Sequence, residues 1–171
     1  SSFSPGTHDP PNATIGRIIR LQANLPAGEL DYRNAESVRP DSRATLLGES
    51  HWLSDPGRLD PAKSRDTGCP MLHLSHGVGT LAFGEDGSLL ASCGDGAYYG
   101  GDDVGSHSQS FFVQALADGI LRPAANVGTF RSQLVDSFSG KILRLDPITG
   151  DGLGSNPFFD PARPRSARSR V

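Results

Sequence analysis

Thr80-Leu81-Ala82-Phe83-Gly84-Glu85-Asp86-Gly87-Ser88-Leu89-Leu90-Ala91-Ser92-Cys93-Gly94-Asp95 is the stretch that decides the fold class. Two short apolar runs flank Asp86-Gly87, a dipeptide suited to a two-residue hairpin turn with positive φ. With Asp86 and Gly87 as the loop, Glu85 faces Ser88, Leu81 faces Ser92 and Val78 faces Asp95. His76 lies two residues beyond Val78, so it shares a sheet face with Asp95 as its diagonal neighbour. Diagonal positions are about 7–8 Å apart at the backbone, within reach of a His and an Asp side chain. A three-residue loop would shift the register by one and put the two on opposite faces.

The surrounding composition agrees with a strand reading. Of 171 residues, 21 are Gly and 13 are Pro, and both interrupt helices. A helical bundle is excluded. Apolar residues at 36%, taken with glycine, reach the ordinary globular range. A net charge of −3 creates no global field for nucleic acid or an anionic membrane. No run approaches the ~20 apolar residues of a membrane span. Arg supplies all basic residues except Lys63 and Lys141, a bias that coding composition explains as well as chemistry does. The chain neither begins with Met nor opens on a signal-peptide pattern, so a piece of a longer protein is expected.

Gly16-Arg17-Ile18-Ile19-Arg20-Leu21 reads like Gly140-Lys141-Ile142-Leu143-Arg144-Leu145, 124 residues later. That offset fits two long or three short units of a β-repeat array, although one matched pair leaves the period open. Long Gly/Ser/Asp/Pro stretches over 54–70, 94–110 and 146–166 read as loops, and 111–121 as one short helix ended near Gly119. The expected fold is all-β: a single incomplete β-propeller domain over 1–171, a few blades with long loops. A sandwich satisfies the same pattern.

A carboxylate beside an imidazole holds its tautomer and raises its basicity, so His76 and Asp95 are the candidate general base and its orienting acid. A structural hydrogen bond between them is the plainer reading of the same spacing. Gly77, Gly79, Gly94 and Gly96 remove side-chain bulk and would leave room for a flat ligand. His73 and His76 form an HxxH pair, but nothing completes a zinc set. Asp95, Asp102 and Asp103 could bind calcium, yet they lack the spacing of an EF-hand loop. Gly77-Val78-Gly79 is not followed by a helical segment, so no dinucleotide fingerprint is supported. Ser75, Ser92 and Ser106 lack a nucleophile-elbow context. Arg163, Arg165, Arg168 and Arg170 are expected to pair with acids in a missing part of the protein. Cys93 faces Thr80 in the hairpin register, eleven residues from Cys69, so a disulfide needs the chain to fold back. Free thiols are expected, and the redox compartment stays open.

The run from His76 through Leu90, with Cys93-Gly94-Asp95-Gly96, resembles the glucose/sorbosone dehydrogenase family. So does Ser139-Gly140-Lys141-Ile142-Leu143-Arg144-Leu145-Asp146-Pro147, continued through Asn156-Pro157-Phe158. These are six-bladed propellers that use pyrroloquinoline quinone (PQQ). The similarity covers residues 72–171, with 16–21 as an earlier blade strand. It implies that His76 takes the proton from a sugar's anomeric hydroxyl, that Asp95 orients His76, and that calcium assists quinone binding. It also implies a periplasmic or extracellular protein. The family's quinone-contacting Arg-Asn pair would follow a segment like 166–171, so a continuation beyond Val171 is expected, and 1–171 alone is expected to bind no quinone and oxidise no sugar. The stretch 98–138 is longer than the family pattern. The alternative is a non-catalytic propeller module that binds glycan or protein. A metal-using hydrolase propeller is a third option.

Overall fold

A computed structural model describes residues 13–24, 37–48, 68–74 and 76–171. The loop expected over 54–70 lies outside the described residues as far as residue 67, and so does Ser75. The strands are β1 (Thr14–Gly16), β2 (Ile18–Arg20), β3 (Ala44–Leu47), β4 (Cys69–Met71), β5 (Val78–Phe83), β6 (Leu89–Cys93) and β7 (Lys141–Leu145). Two helices, α1 (Phe112–Ala117) and α2 (Ala167–Arg170), and 3-10 turns at Pro123–Ala125 and Gly128–Gln133 complete the set. Antiparallel pairing gives the sheets β1-β4, β2-β3 and β5-β6-β7. The chain is all-β in kind, with small sheets and no closed barrel among the described residues. No described helix is long and apolar enough to cross a membrane. The repeat segments both contain strand, at Ile18–Arg20 and Lys141–Leu145, in different sheets.

Strand β6 carries the core. Leu89, Ala91 and Cys93 alternate inward, while Leu90 and Ser92 on the other face are only half-buried. Across the ladder Leu89 pairs with Leu145, and Ala91 with Leu143. Ile18, Leu46, Leu47, Cys69 and Phe138 close over them. Each buried leucine there contributes about 1.5–3 kcal/mol of transfer free energy. A second cluster gathers Ala115 of α1 with Leu72, Ile120, Leu121 and Ala125. The helix expected over 111–121 forms only in its first half, and Gly119 at φ 69° follows its end.

The hairpin differs from expectation in a way that matters for the site. Its loop has three residues, not two: Gly84 N–H donates to Ser88 O at 2.8 Å, Gly87 N–H to Gly84 O at 2.9 Å, and Gly87 sits at φ 81°. Asp86 Oδ1 accepts from Ser88 N–H at 3.0 Å and from Ser88 Oγ–H at 2.6 Å, which stabilises this turn over the shorter one. Phe83 therefore pairs with Leu89, and Leu81 with Ala91. Farther along, Val78 pairs with Cys93, so Gly79 and Thr80 together oppose Ser92. This is a β-bulge, held by Thr80 N–H donating to Ser92 Oγ at 2.8 Å. Strand β5 is largely exposed, so burial does not fix its register, and local hydrogen bonds decide it. The two one-residue shifts cancel in parity. His76 and Asp95 return to one side, and they now stand opposite each other rather than diagonal.

Beneath the hairpin tip, Arg144 and Asn156 interlock. Arg144 Nη1 donates to Ser155 Oγ at 2.7 Å and Asn156 Oδ1 at 3.0 Å, while Nη2 pairs with Asp86. Asn156 Nδ2 donates to Arg144 O and Ser169 O, each at 2.9 Å. Ser88 and Arg144 together hold the Asp86 carboxyl well below the usual carboxylate range. Asn156→Ala leaves two carbonyls without their donor, and each such loss in a buried setting costs ~1 kcal/mol or more. Urea unfolding should show a loss of about 2 kcal/mol. A change under 0.5 kcal/mol would mean that water replaces the amide without penalty.

Candidate functional site

His76 ends the chain's approach to β5, and Asp95 follows the exit from β6. Gly94 N–H donates to Gly77 O at 2.8 Å and Gly96 N–H to His76 O at 3.0 Å, keeping the two segments paired past the strand ends. There His76 Nδ1 meets Asp95 Oδ1 at 2.9 Å, with side-chain exposures of 45% and 24%. A carboxylate only accepts, so the neutral imidazole carries its proton on Nδ1 and its free lone pair on Nε2. That is the tautomer a general base needs. Asp95 is itself fixed twice: Oδ1 also accepts from Ala97 N–H at 3.1 Å, and its main-chain carbonyl accepts from Arg131 Nη1 at 2.7 Å.

His76 occupies the left-handed region at φ 62°. For a residue with a Cβ that conformation costs roughly 1–2 kcal/mol. Strain of this kind persists only where the surrounding structure imposes it, and it concentrates at functional sites. The Tyr99 ring lies 6.2 Å from the His76 ring and is itself exposed, forming a wall beside the imidazole.

The remaining expected residues disperse. The glycines do not open space for a flat ligand, contrary to the sequence reading. A methyl group added at Gly77 would collide with Met71 Sδ, at Gly94 with the His76 backbone, and at Gly96 with Pro70 O. Their missing side chains let protein segments close on one another. His73 joins Tyr98 and Tyr99, each with ring centroids at 5.0 Å. Asp103 is buried and accepts from Tyr98 N–H at 3.1 Å and Gly105 N–H at 2.9 Å, so it organises its loop. Among the described residues no three His, Cys, Asp or Glu side chains gather to hold a metal.

Three of the four terminal arginines find acids inside the chain, where partners in a missing part of it were expected. Arg163 pairs with Asp160 at 2.9 Å, Arg165 with Asp151 at 3.7 Å and Arg168 with Asp136 at 3.7 Å. Arg170 lies over the Phe138 ring. Ser92 holds the bulge, and Ser106 N–H donates to Asn126 Oδ1 at 3.0 Å. Neither serine is placed as a nucleophile.

Sequence reasoning missed Arg131 and Tyr99. Arg131 is 1% exposed and donates through Nε to Ala125 O at 2.8 Å as well as to Asp95 O. Nothing in the local sequence separates it from the other arginines. Tyr99 follows Tyr98 in a glycine-rich loop, and that context alone gives it no direction. The chain matches no protein-family model, no curated protein and no solved structure.

PQQ is a flat ring system bearing carboxylates, and it needs cations and an open slot. Arg131 is committed to two carbonyls, the glycine positions are closed, and no metal cluster forms among the described residues. The described residues therefore supply a hydrogen-bonded imidazole–carboxylate pair with Nε2 free, and the glycine positions beside it hold no slot for a flat ring.

Proposed function

We propose that this chain carries the proton-abstracting pair of a sugar-oxidising enzyme, with His76 as general base and Asp95 as its positioning carboxylate. The observation that carries the reading is the hydrogen-bonded pair itself: Nδ1 held at 2.9 Å, Nε2 free, on a strained backbone. Oxidising an aldose at its anomeric carbon removes one proton from oxygen and two electrons with the carbon-bound hydrogen. His76 Nε2 takes the proton, and Asp95 stabilises the imidazolium that results. PQQ with calcium is the acceptor that the resemblance to glucose/sorbosone dehydrogenases implies, and in this reading the residues holding it lie outside the described ones. The sheet β5-β6-β7 is then one blade of a six-bladed propeller, and the protein is periplasmic or extracellular.

The test uses protein expressed from its complete reading frame, titrated with PQQ and calcium and then assayed for aldose-dependent dye reduction. Saturable quinone binding together with sugar-dependent turnover is the expected result. Quinone binding and turnover both absent would overturn the reading and leave a glycan- or protein-binding module.

A further inference from the structure

Cys69 in β4 and Cys93 at the end of β6 come from different sheets, yet they meet in one core. The fold-back that a disulfide requires, which the hairpin register alone did not supply, is present. Both residues are buried, at 0% and 4% exposure, and both are free thiols. Cys69 Sγ donates to Gly94 O at 3.8 Å, which places it against the residue that follows Cys93. Only Gly94 separates Cys93 from Asp95 along the chain.

We propose that Cys69 and Cys93 are a covalent modification site, a dithiol that closes to a disulfide by exchange with a low-molecular-weight disulfide and ties β4 to the end of β6, the strand that leads into Asp95. The inference is independent of the sugar-oxidising reading. Lys141 stands opposite Cys93 in the β6-β7 ladder.

One of the two thiolates attacks one sulfur of oxidised glutathione, forming a mixed disulfide and releasing one glutathione thiolate. The other thiolate then attacks the protein sulfur of that mixed disulfide and displaces the second glutathione. The two thiol protons end on the two released glutathiones, and the two electrons reduce the glutathione disulfide. Because both sulfurs are buried in the finished fold, the exchange takes place while β4 is closing onto β6. The bond closes a loop of about 25 residues, long enough to restrict the unfolded chain substantially.

The experiment refolds the chain with oxidised and reduced glutathione, then denatures it without reductant and alkylates any free thiol. The expected product takes up no alkylating reagent, weighs about 2 Da less than the reduced chain, and yields one peptide linking Cys69 to Cys93. Its urea midpoint is higher than that of the reduced chain, and a dithiol reductant reverses the shift. Cys69→Ser under the same conditions leaves Cys93 alkylated or carrying one glutathione. Two free thiols in the refolded wild-type chain would overturn the proposal. So would a chain carrying two glutathiones, or a disulfide-linked dimer.

Discussion

His76→Gly should abolish proton abstraction and leave the fold standing. On the proposed reading the rate of sugar oxidation falls about 10^3-fold, the middle of the range for loss of a positioned general base. Stability follows different arithmetic. Glycine at φ 62° relieves roughly 1–2 kcal/mol of left-handed strain, while the lost His76–Asp95 hydrogen bond was worth about 1 kcal/mol at a half-exposed position. Added backbone freedom in the unfolded chain takes back ~0.5–1 kcal/mol. The sum is close to zero, so the urea midpoint should hardly move.

A structural role for the pair predicts the reverse. If His76 is there to anchor Asp95, the glycine variant loses stability and any activity falls only through unfolding. The strain argues against that, since an anchor needs no residue in a conformation that costs more than its bond returns. Free imidazole offers a further readout. The vacated position beside Asp95 is half-exposed, and added imidazole should restore part of the rate to a folded variant. A glycine variant that unfolds more than 2 kcal/mol earlier than wild type would sink the base assignment in favour of the structural one.

The sequence showed where the pair would meet, but the path to that meeting was hidden. Asp86-Gly87 marks a hairpin, but choosing between two and three loop residues depends on Ser88 bonding back to Asp86, an interaction between side-chain geometries. The bulge depends on Ser92 reaching Thr80 N–H, and no apolar pattern reports such a bond. Each omission moved the register by one residue, and together they moved it by two, so the predicted face survived. The glycines misled for a related reason. A glycine beside a candidate site reads as open space, but Gly77, Gly94 and Gly96 are needed where Met71, the His76 backbone and Pro70 press against the chain. Those contacts are long-range. That Cys69 and Cys93 share one core was out of reach in the same way, because it depends on β4 packing against the strands that follow the hairpin. The arginine partners were misassigned because Asp136, Asp151 and Asp160 are ordinary loop acids until the chain closes around them.

Arg131→Met should be the most destabilising single change within the described residues around the site, costing about 3–5 kcal/mol. Burial pushes the Arg131 guanidinium below its ordinary value, while Asp103 and Asp95 pull it back up. Replacing a buried charge with an apolar side chain is often nearly neutral, because the desolvation cost disappears along with the charge. That relief does not decide the outcome here. Arg131 is the donor for two main-chain carbonyls, Ala125 O and Asp95 O, which methionine cannot serve. Each unsatisfied carbonyl costs about 1–3 kcal/mol, and the neighbouring carboxylates lose their counter-charge as well. Arg131→Lys tests the geometry separately from the charge. An ammonium keeps the charge but cannot span both carbonyls as a planar fork does, so it should recover less than half of the loss. Urea unfolding of both variants provides the measurement. Full recovery by lysine would show that Arg131 acts through charge alone, and a methionine variant within 1 kcal/mol of wild type would mean that Asp95 is positioned without it.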